Sequence, residues 1–222
     1  MFPELSFHVV GVSYHTAAVG VREQFAVTEA ELAVMLEHEH AAGRSALFLF
    51  TCNRCELYWC GPHDYESWFR ELARARGLTL AGEIGRLDGE EALRHLFTVA
   101  AGLDSQILGE TEILGQVRRA YDAARAAGTT MLEMDLIFSA ALSAGRRVRR
   151  ETMLGRHPAS VSSAAVELAA GSWRNGFDGR PVVVLGAGEA AEGVLRSLHQ
   201  HGATRVSLVS RNPERAGAVA GA

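Results

Sequence analysis

Thr51-Cys52-Asn53-Arg54-Cys55-Glu56 places a hydroxyl, a thiol, an amide, a guanidinium and a carboxylate in one short stretch. The apolar run Ala46–Phe50 before it reads as a buried strand, and Glu56 to Cys60 after it as a second. The polar joint therefore belongs at the rim of a sheet, where a rigid scaffold can present reactive groups. Cys52 is the candidate nucleophile and Arg54 the candidate clamp for a carboxylate. An unperturbed thiol is only about 3% thiolate at pH 7, so Cys52 needs a cation, a histidine or a backbone dipole beside it. The bland alternative is a small buried hydrophobe, common for free cysteine; the polar neighbours argue against it. Cys52, Cys55, Cys60 and His63 also form C-x2-C-x4-C-x2-H, which invites a zinc reading. An unbroken strand would put Cys55 and Cys60 on opposite faces, so no metal is expected.

The chain has 222 residues, 48% of them hydrophobic and 22% charged, which suits one large or two modest folded domains. No apolar run approaches the roughly 18 residues of a membrane span, and Met1-Phe2-Pro3-Glu4-Leu5 lacks the basic start of a signal peptide. With three cysteines, complete pairing is impossible, and a reduced, cytoplasmic setting is expected. The net charge of −4 makes the whole molecule no electrostatic trap for nucleic acid. All 22 basic residues are arginine, which excludes Schiff-base, Walker-type and general-base lysine chemistry.

The elements that must hold the joint follow from the pattern. Phe7 to Ser13 reads as a strand and Tyr14–Ala18 as a loop. Thr28 caps a helix to about Ala42, which Gly43 ends. After the two strands, Asp64 caps a helix through Arg76, and a weak strand lies near Glu83–Leu87. The result is an α/β (α+β) chain with a ferredoxin-like N-terminal sheet layer. From Asp88 the spacing turns helical: Gly89 to about Gly102, about Glu110–Ala127 and Met131–Glu151. These form a helical subdomain on the sheet. A boundary near Pro158 divides residues 1–157 from 158–222. The second part opens on a helix from Ser160 to Gly171. Pro181–Leu185, the turn Gly186-Ala187-Gly188-Glu189-Ala190-Ala191 and a strand at Arg205–Val209 then make an incomplete Rossmann-type βαβ unit. Glycines there let a backbone approach a pyrophosphate at a helix N-terminus, and Ala191 takes the third-glycine place. Ser210-Arg211, not an acid, ends the second strand and suits a 2′-phosphate, which favours NADP over NAD. A ligand-free tight turn is the alternative. His95 is a lone helical histidine, more often structural than catalytic. Ser105, Glu110 and Gln116 are spaced polar groups that read as caps or ligand contacts. Arg146-Arg147-x-Arg149-Arg150 reads equally as a solvated face or a phosphate-contacting stripe.

Several motifs in order resemble glutamyl-tRNA reductase over essentially the whole chain. They are Gly11-Val12-Ser13-Tyr14-His15-Thr16-Ala17 with Arg22-Glu23; Thr51-Cys52-Asn53-Arg54-x-Glu56; Gly102-Leu103-Asp104-Ser105-Gln106-Ile107-Leu108-Gly109-Glu110 with Ile113-Leu114-Gly115-Gln116; and Arg147-Val148-Arg149-Arg150-Glu151-Thr152. The resemblance implies NADPH-dependent reduction of glutamyl-tRNA to glutamate-1-semialdehyde through a cysteine thioester, opening five-carbon-route tetrapyrrole (porphyrin, heme) biosynthesis. It implies Cys52 as nucleophile and His95 in activity through proton transfer. It implies substrate contacts at Thr51, Cys52, Asn53, Arg54, Ser105, Glu110, Thr111, Glu112 and Gln116. The cofactor turn would be Gly186, Ala187, Gly188, Glu189, Ala190 and Ala191. Implied partners are glutamyl-tRNA, a second copy in the full-length protein and the glutamate-1-semialdehyde aminomutase, with no membrane. Cys55 stands where the family usually has Thr, and Glu112 where Gln is usual. The family continues through a full NADPH domain to a dimerisation domain, neither complete here, so this chain alone is expected to show esterase activity. The alternative is a non-catalytic tRNA-binding or regulatory module of the same fold.

Overall fold

The computed structural model describes residues 6–80, 82–110, 112–155 and 160–220, in two compact units, Met1–Arg156 and His157–Ala222. The first unit begins with β1 (Phe7–Ser13), α1 (Val19–Glu23), α2 (Glu29–Ala41), β2 (Ser45–Phe50), β3 (Arg54–Cys60), α3 (Glu66–Ala75) and β4 (Gly85–Asp88). The strands form one sheet in the order β2-β3-β1-β4, with antiparallel pairing throughout. This is the ferredoxin-like layer expected from the sequence. Helices α4 (Gly89–Ala101), α5 (Glu112–Ala126) and α6 (Leu132–Glu151) follow.

Paired residues of antiparallel strands share a face. Val9 lies opposite Tyr58, Gly11 opposite Glu56 and Ser13 opposite Arg54. This face meets the helical layer: the Tyr58 ring lies 5.6 Å from Phe138 of α6 and 6.4 Å from His95 of α4. The other face meets α3, where Phe48 lies 5.5 Å from Trp68. Helices on both faces explain why β2 and β3 are buried along nearly their whole length instead of alternating. The face toward α4–α6 carries Arg54, Glu56 and Tyr58 in succession, a polar stripe inside the core.

Local rules set the element ends. Thr28 caps α2 reciprocally with Glu31. Gly102 takes the left-handed conformation after α4, at φ 75°. Asp64 is not the N-cap of α3: that place is Tyr65, and Asp64 Oδ1 instead accepts from the Glu66 N–H at 3.0 Å. Helix α1 lacks a side-chain cap, so it left no signal in the sequence. Gly145 brings α6 against α4, since a Cβ there would lie 2.5 Å from the Ala100 carbonyl oxygen.

The second unit contains α7 (Val161–Gly171), β5 (Pro181–Leu185), α8 (Glu189–Gln200), β6 (Arg205–Val209) and α9 (Pro213–Ala220). β5 and β6 pair in parallel, as a βαβ unit requires. Val166, Phe177, Val184, Ala191, Leu198 and Ala203 form its core. Gly193 sits against Ser162 of α7, 2.8 Å from Oγ to the place of a Cβ, so it serves helix packing. Among the described residues no helix is long and apolar enough to cross a membrane.

Gly11 leaves the room that Glu56 fills. A Cβ at Gly11 would lie 2.2 Å from the Cys55 carbonyl oxygen and 3.0 Å from Glu56 Cγ. Gly11→Ala is expected to destabilise the first unit by about 3 kcal/mol, read as a fall in the urea midpoint at unchanged slope.

Candidate active site

The joint between β2 and β3 is a tight hairpin folded around Thr51. Its Oγ1 accepts from the N–H of Asn53 at 3.2 Å and of Arg54 at 3.1 Å, and its own N–H donates to the Arg54 carbonyl at 2.8 Å. Asn53 and Arg54 turn inward, and Cys52 is left exposed at the tip. Arg22 lies behind it: Nε donates to the Cys52 carbonyl at 3.0 Å and Nη1 to the Ala17 carbonyl at 2.6 Å. Arg22 is buried, and among the described residues no carboxylate lies within ion-pair distance of it. Burial and the nearby carboxylates of Glu110 and Glu112 raise the Cys52 thiol above its ordinary range, while Arg22 pulls it down. The other thiols differ. Burial pushes Cys55, facing the Arg22 carbonyl, up to about 12. Burial and Glu133 push Cys60 up to about 12. His63 lies 3.1 Å from Arg44 Nη1, and no cluster of three or more His, Cys, Asp or Glu among the described residues is placed to hold a metal.

Arg54 is not a rim residue, as its place in the joint suggested. It is 0% exposed. Nη1 donates to Glu56 Oε1 and to Asp104 Oδ2, both at 3.1 Å, and Nη2 donates to the Asp104 main-chain carbonyl. The alternation of β3 turns it into the polar stripe between sheet and helices. Glu56, one strand repeat on, also accepts from Tyr58 Oη at 2.6 Å and lies 2.9 Å from His95 Nε2. Burial pushes the Glu56 carboxyl up, but Arg54 and His95 outweigh it and hold it below the usual carboxylate range. An ionised Glu56 only accepts, so Nε2 of His95 carries the proton in this pair. His95 Nδ1 then faces Asp104 Oδ2 at 3.7 Å. Asp104 Oδ1 accepts from Tyr14 Oη at 3.2 Å and lies 2.7 Å from His15 Nε2. Its carboxyl is also lowered, with Arg54 overcoming burial.

The α4–α5 loop supplies the remaining groups. Ser105 and Glu110 are buried; Asn53 Nδ2 donates to Glu110 Oε2 at 3.4 Å, and Arg149 Nη2 to the Glu110 carbonyl at 2.6 Å. Burial and Glu112 raise the Glu110 carboxyl, against a hydrogen bond from Ser105. Glu112 is exposed at the start of α5, and Gln116 is half-buried one turn on. Thr111 lies outside the described residues. Cys52, Asn53, Arg54, His95, Ser105 and Glu110 thus converge. Arg22, Glu56, Asp104, Tyr14 and His15 have no role that spacing alone assigns; each stands in one of the motifs above, but their meeting is a matter of how the elements pack.

In the second unit, Gly186 at φ 103° and Gly188, the N-cap of α8, each have open space where a Cβ would stand. No side chain caps α8, so its first N–H groups suit a phosphate. Ala187 and Ala191 are buried and Ala190 exposed; Glu189 opens the helix, its side chain outside the described residues. Ser210 Oγ accepts from the Asn212 N–H at 3.2 Å, and Arg211 is exposed just after β6.

An exposed thiol beside a buried ion network, in a chain that also carries a dinucleotide-type turn, defines a class: a two-unit α/β protein equipped for thiol chemistry. Comparison narrows it. Residues 10–152 match glutamyl-tRNAGlu reductase, N-terminal domain, and residues 167–222 match shikimate / quinate 5-dehydrogenase. The chain belongs to the glutamyl-tRNA reductase family. It is 43% identical over 216 residues to glutamyl-tRNA reductase of Deinococcus radiodurans, covering 97% of this chain and 61% of that protein. It is 40% identical to that of Thermus thermophilus, over 97% of this chain and 53% of that protein. The solved glutamyl-tRNA reductase of Methanopyrus kandleri matches with a TM-score of 0.65 at 34% identity, covering 97% of this chain and 52% of that one. The chain therefore spans roughly half to three-fifths of the length of these relatives.

Two outcomes follow from the charges. Iodoacetamide near neutral pH is expected to modify Cys52 and spare Cys55 and Cys60. Arg22→Gln is expected to move the pH midpoint of that alkylation up and Glu110→Gln to move it down, since one removes the cation favouring thiolate and the other a repelling anion. Glu56 and Asp104 have lowered folded values. The stability they contribute is therefore full above the unfolded carboxylate range, near pH 4, and lost as pH falls through the folded values. Urea midpoints from pH 7 down to pH 3 should show this fall, and Glu56→Gln should flatten it.

Proposed function

We propose that the chain is the catalytic part, with the start of the cofactor-binding part, of a glutamyl-tRNA reductase: residues 1–157 take the substrate and residues 158–222 begin the NADP-binding domain. The observation that carries the reading is the setting of Cys52, an exposed thiol at a hairpin tip, backed by a buried arginine with no carboxylate partner among the described residues. Family membership supports the substrate class, because the relatives are named for it.

Cys52, as thiolate, attacks the carbonyl carbon of the aminoacyl ester. The C–S bond forms, the C–O bond to the tRNA ribose breaks, and the leaving ribose oxygen takes a proton from solvent, to which the thiol gave its own. Glutamate stays on the enzyme as a thioester, a more reducible carbonyl than a carboxylate. Thr51 shapes the hairpin that presents the sulfur. Arg54 is the pole for the glutamyl side-chain carboxylate, and Asn53, Ser105, Glu110, Glu112 and Gln116 border the acyl group. His95, with Nε2 held by Glu56, handles a proton at Nδ1. Gly186 to Ala191 would hold the NADPH pyrophosphate, and Ser210 with Arg211 its 2′-phosphate. When bound, NADPH supplies the hydride that turns the acyl group into glutamate-1-semialdehyde, for tetrapyrrole synthesis. On this reading the partners are glutamyl-tRNA, a second copy in the full-length protein and the aminomutase that consumes the aldehyde, all in the cytoplasm.

Incubation of the chain with glutamyl-tRNA tests this. The wild type is expected to accumulate a covalent glutamyl adduct on the Cys52 peptide and to release tRNA. Cys52→Ser should lose the adduct and slow ester loss by about a thousandfold or more. Equal rates for the two proteins would refute the nucleophile.

A further inference from the structure

The guanidinium of Arg54 is a planar fork with donors on two edges. Asp104 covers the edge made by Nη1 and Nη2, meeting one with its carboxylate and the other with its own main-chain carbonyl. Glu56 takes a further Nη1 bond. Nε is buried with no partner among the described residues. The edge that Asp104 covers is therefore well paired, while the donor outside that edge stays unmet.

Charge sharpens the point. Arg54 is one positive charge between two carboxylates, so the group is already negative. A third carboxylate brought to the same guanidinium would meet strong repulsion in a buried setting. Asp104 has somewhere to go. Its Oδ1 is already held by Tyr14 and His15, so leaving Arg54 does not strand it unpaired. Its loop is closed at the base by the Gly109 N–H donating to the Gly102 carbonyl at 2.8 Å, with both glycines at positive φ, 81° and 75°.

We propose that Asp104 is an internal stand-in for the carboxylate of the incoming glutamyl group: the two occupy the same edge of Arg54 in turn. Asp104 thereby sets specificity, because an acyl group that brings no carboxylate cannot replace what it displaces. This rests on the reading above that the glutamyl group binds at Cys52 and Arg54.

The test measures how L-glutamate α-methylamide and L-glutamine α-methylamide protect Cys52 from iodoacetamide in the 222-residue chain. Wild type, Asp104→Asn and Arg54→Gln are compared, with Asp104→Ser as a second variant should Asp104→Asn lose its native circular dichroism. The expected result is about tenfold tighter protection by the glutamate amide in Asp104→Asn or Asp104→Ser, together with protection by the glutamine amide that the wild type lacks. A residue that merely held the loop in place would give weaker protection. Unchanged or weaker protection in the Asp104 variants, with wild type protected and Arg54→Gln not, would overturn the stand-in alone. No protection of any protein, with Arg54→Gln equal to wild type, would overturn the glutamyl reading and the stand-in with it.

Discussion

One buried cation organises the first unit. Arg54 lies wholly inside the protein, where an unpaired guanidinium would be prohibitively costly, so the structure around it must supply anions. Glu56 comes from its own strand, one repeat along, and Asp104 from the loop after α4. His95 and Tyr58 then gather on Glu56, and Tyr14 and His15 on Asp104. The network thus ties the central strand to the helical layer and to the β1–α1 loop. Gly11 is part of the same constraint, because the space it leaves is the space in which Glu56 stands.

Cys52 is placed by exclusion from that network. Alternation along the strand and the Thr51 hairpin send Arg54 and Asn53 inward, and the residue before them is left at the tip. Its electrostatic setting is a balance: Arg22 favours the thiolate, and burial with Glu110 opposes it. A thiol so balanced responds to any group that displaces or neutralises Glu110, so charge arriving with a ligand can tune it. The two other cysteines, both on β3, are pushed much higher, Cys55 buried and Cys60 half-buried.

The second unit follows simpler logic. Glycine and alanine at the turn remove side chains from the mouth of α8, and the helix start is left without a cap. Gly193, further along, serves packing against α7. The same residue type thus does two jobs on one helix, and only neighbours distinguish them.

Local chemistry was legible from the chain itself. The apolar runs marked β2 and β3, Thr28 marked the start of α2, and glycines marked several helix ends, because these depend on periodicity and on bonds between near neighbours. The order of elements then limited the sheet to few arrangements, and the ferredoxin-like one is observed. The motif around Cys52 was visible as a cluster of reactive types. What no spacing could reveal was which partners cross the fold. Asp104 lies 50 residues from Arg54 and His95 lies 39 from Glu56, and their meeting depends on how α4 and its loop pack on the sheet. Arg54 looked like an exposed clamp because its neighbours in sequence are polar; the pleat of β3 turned it inward. Burial of a charge is a property of the packed layers, and only tertiary structure decides it.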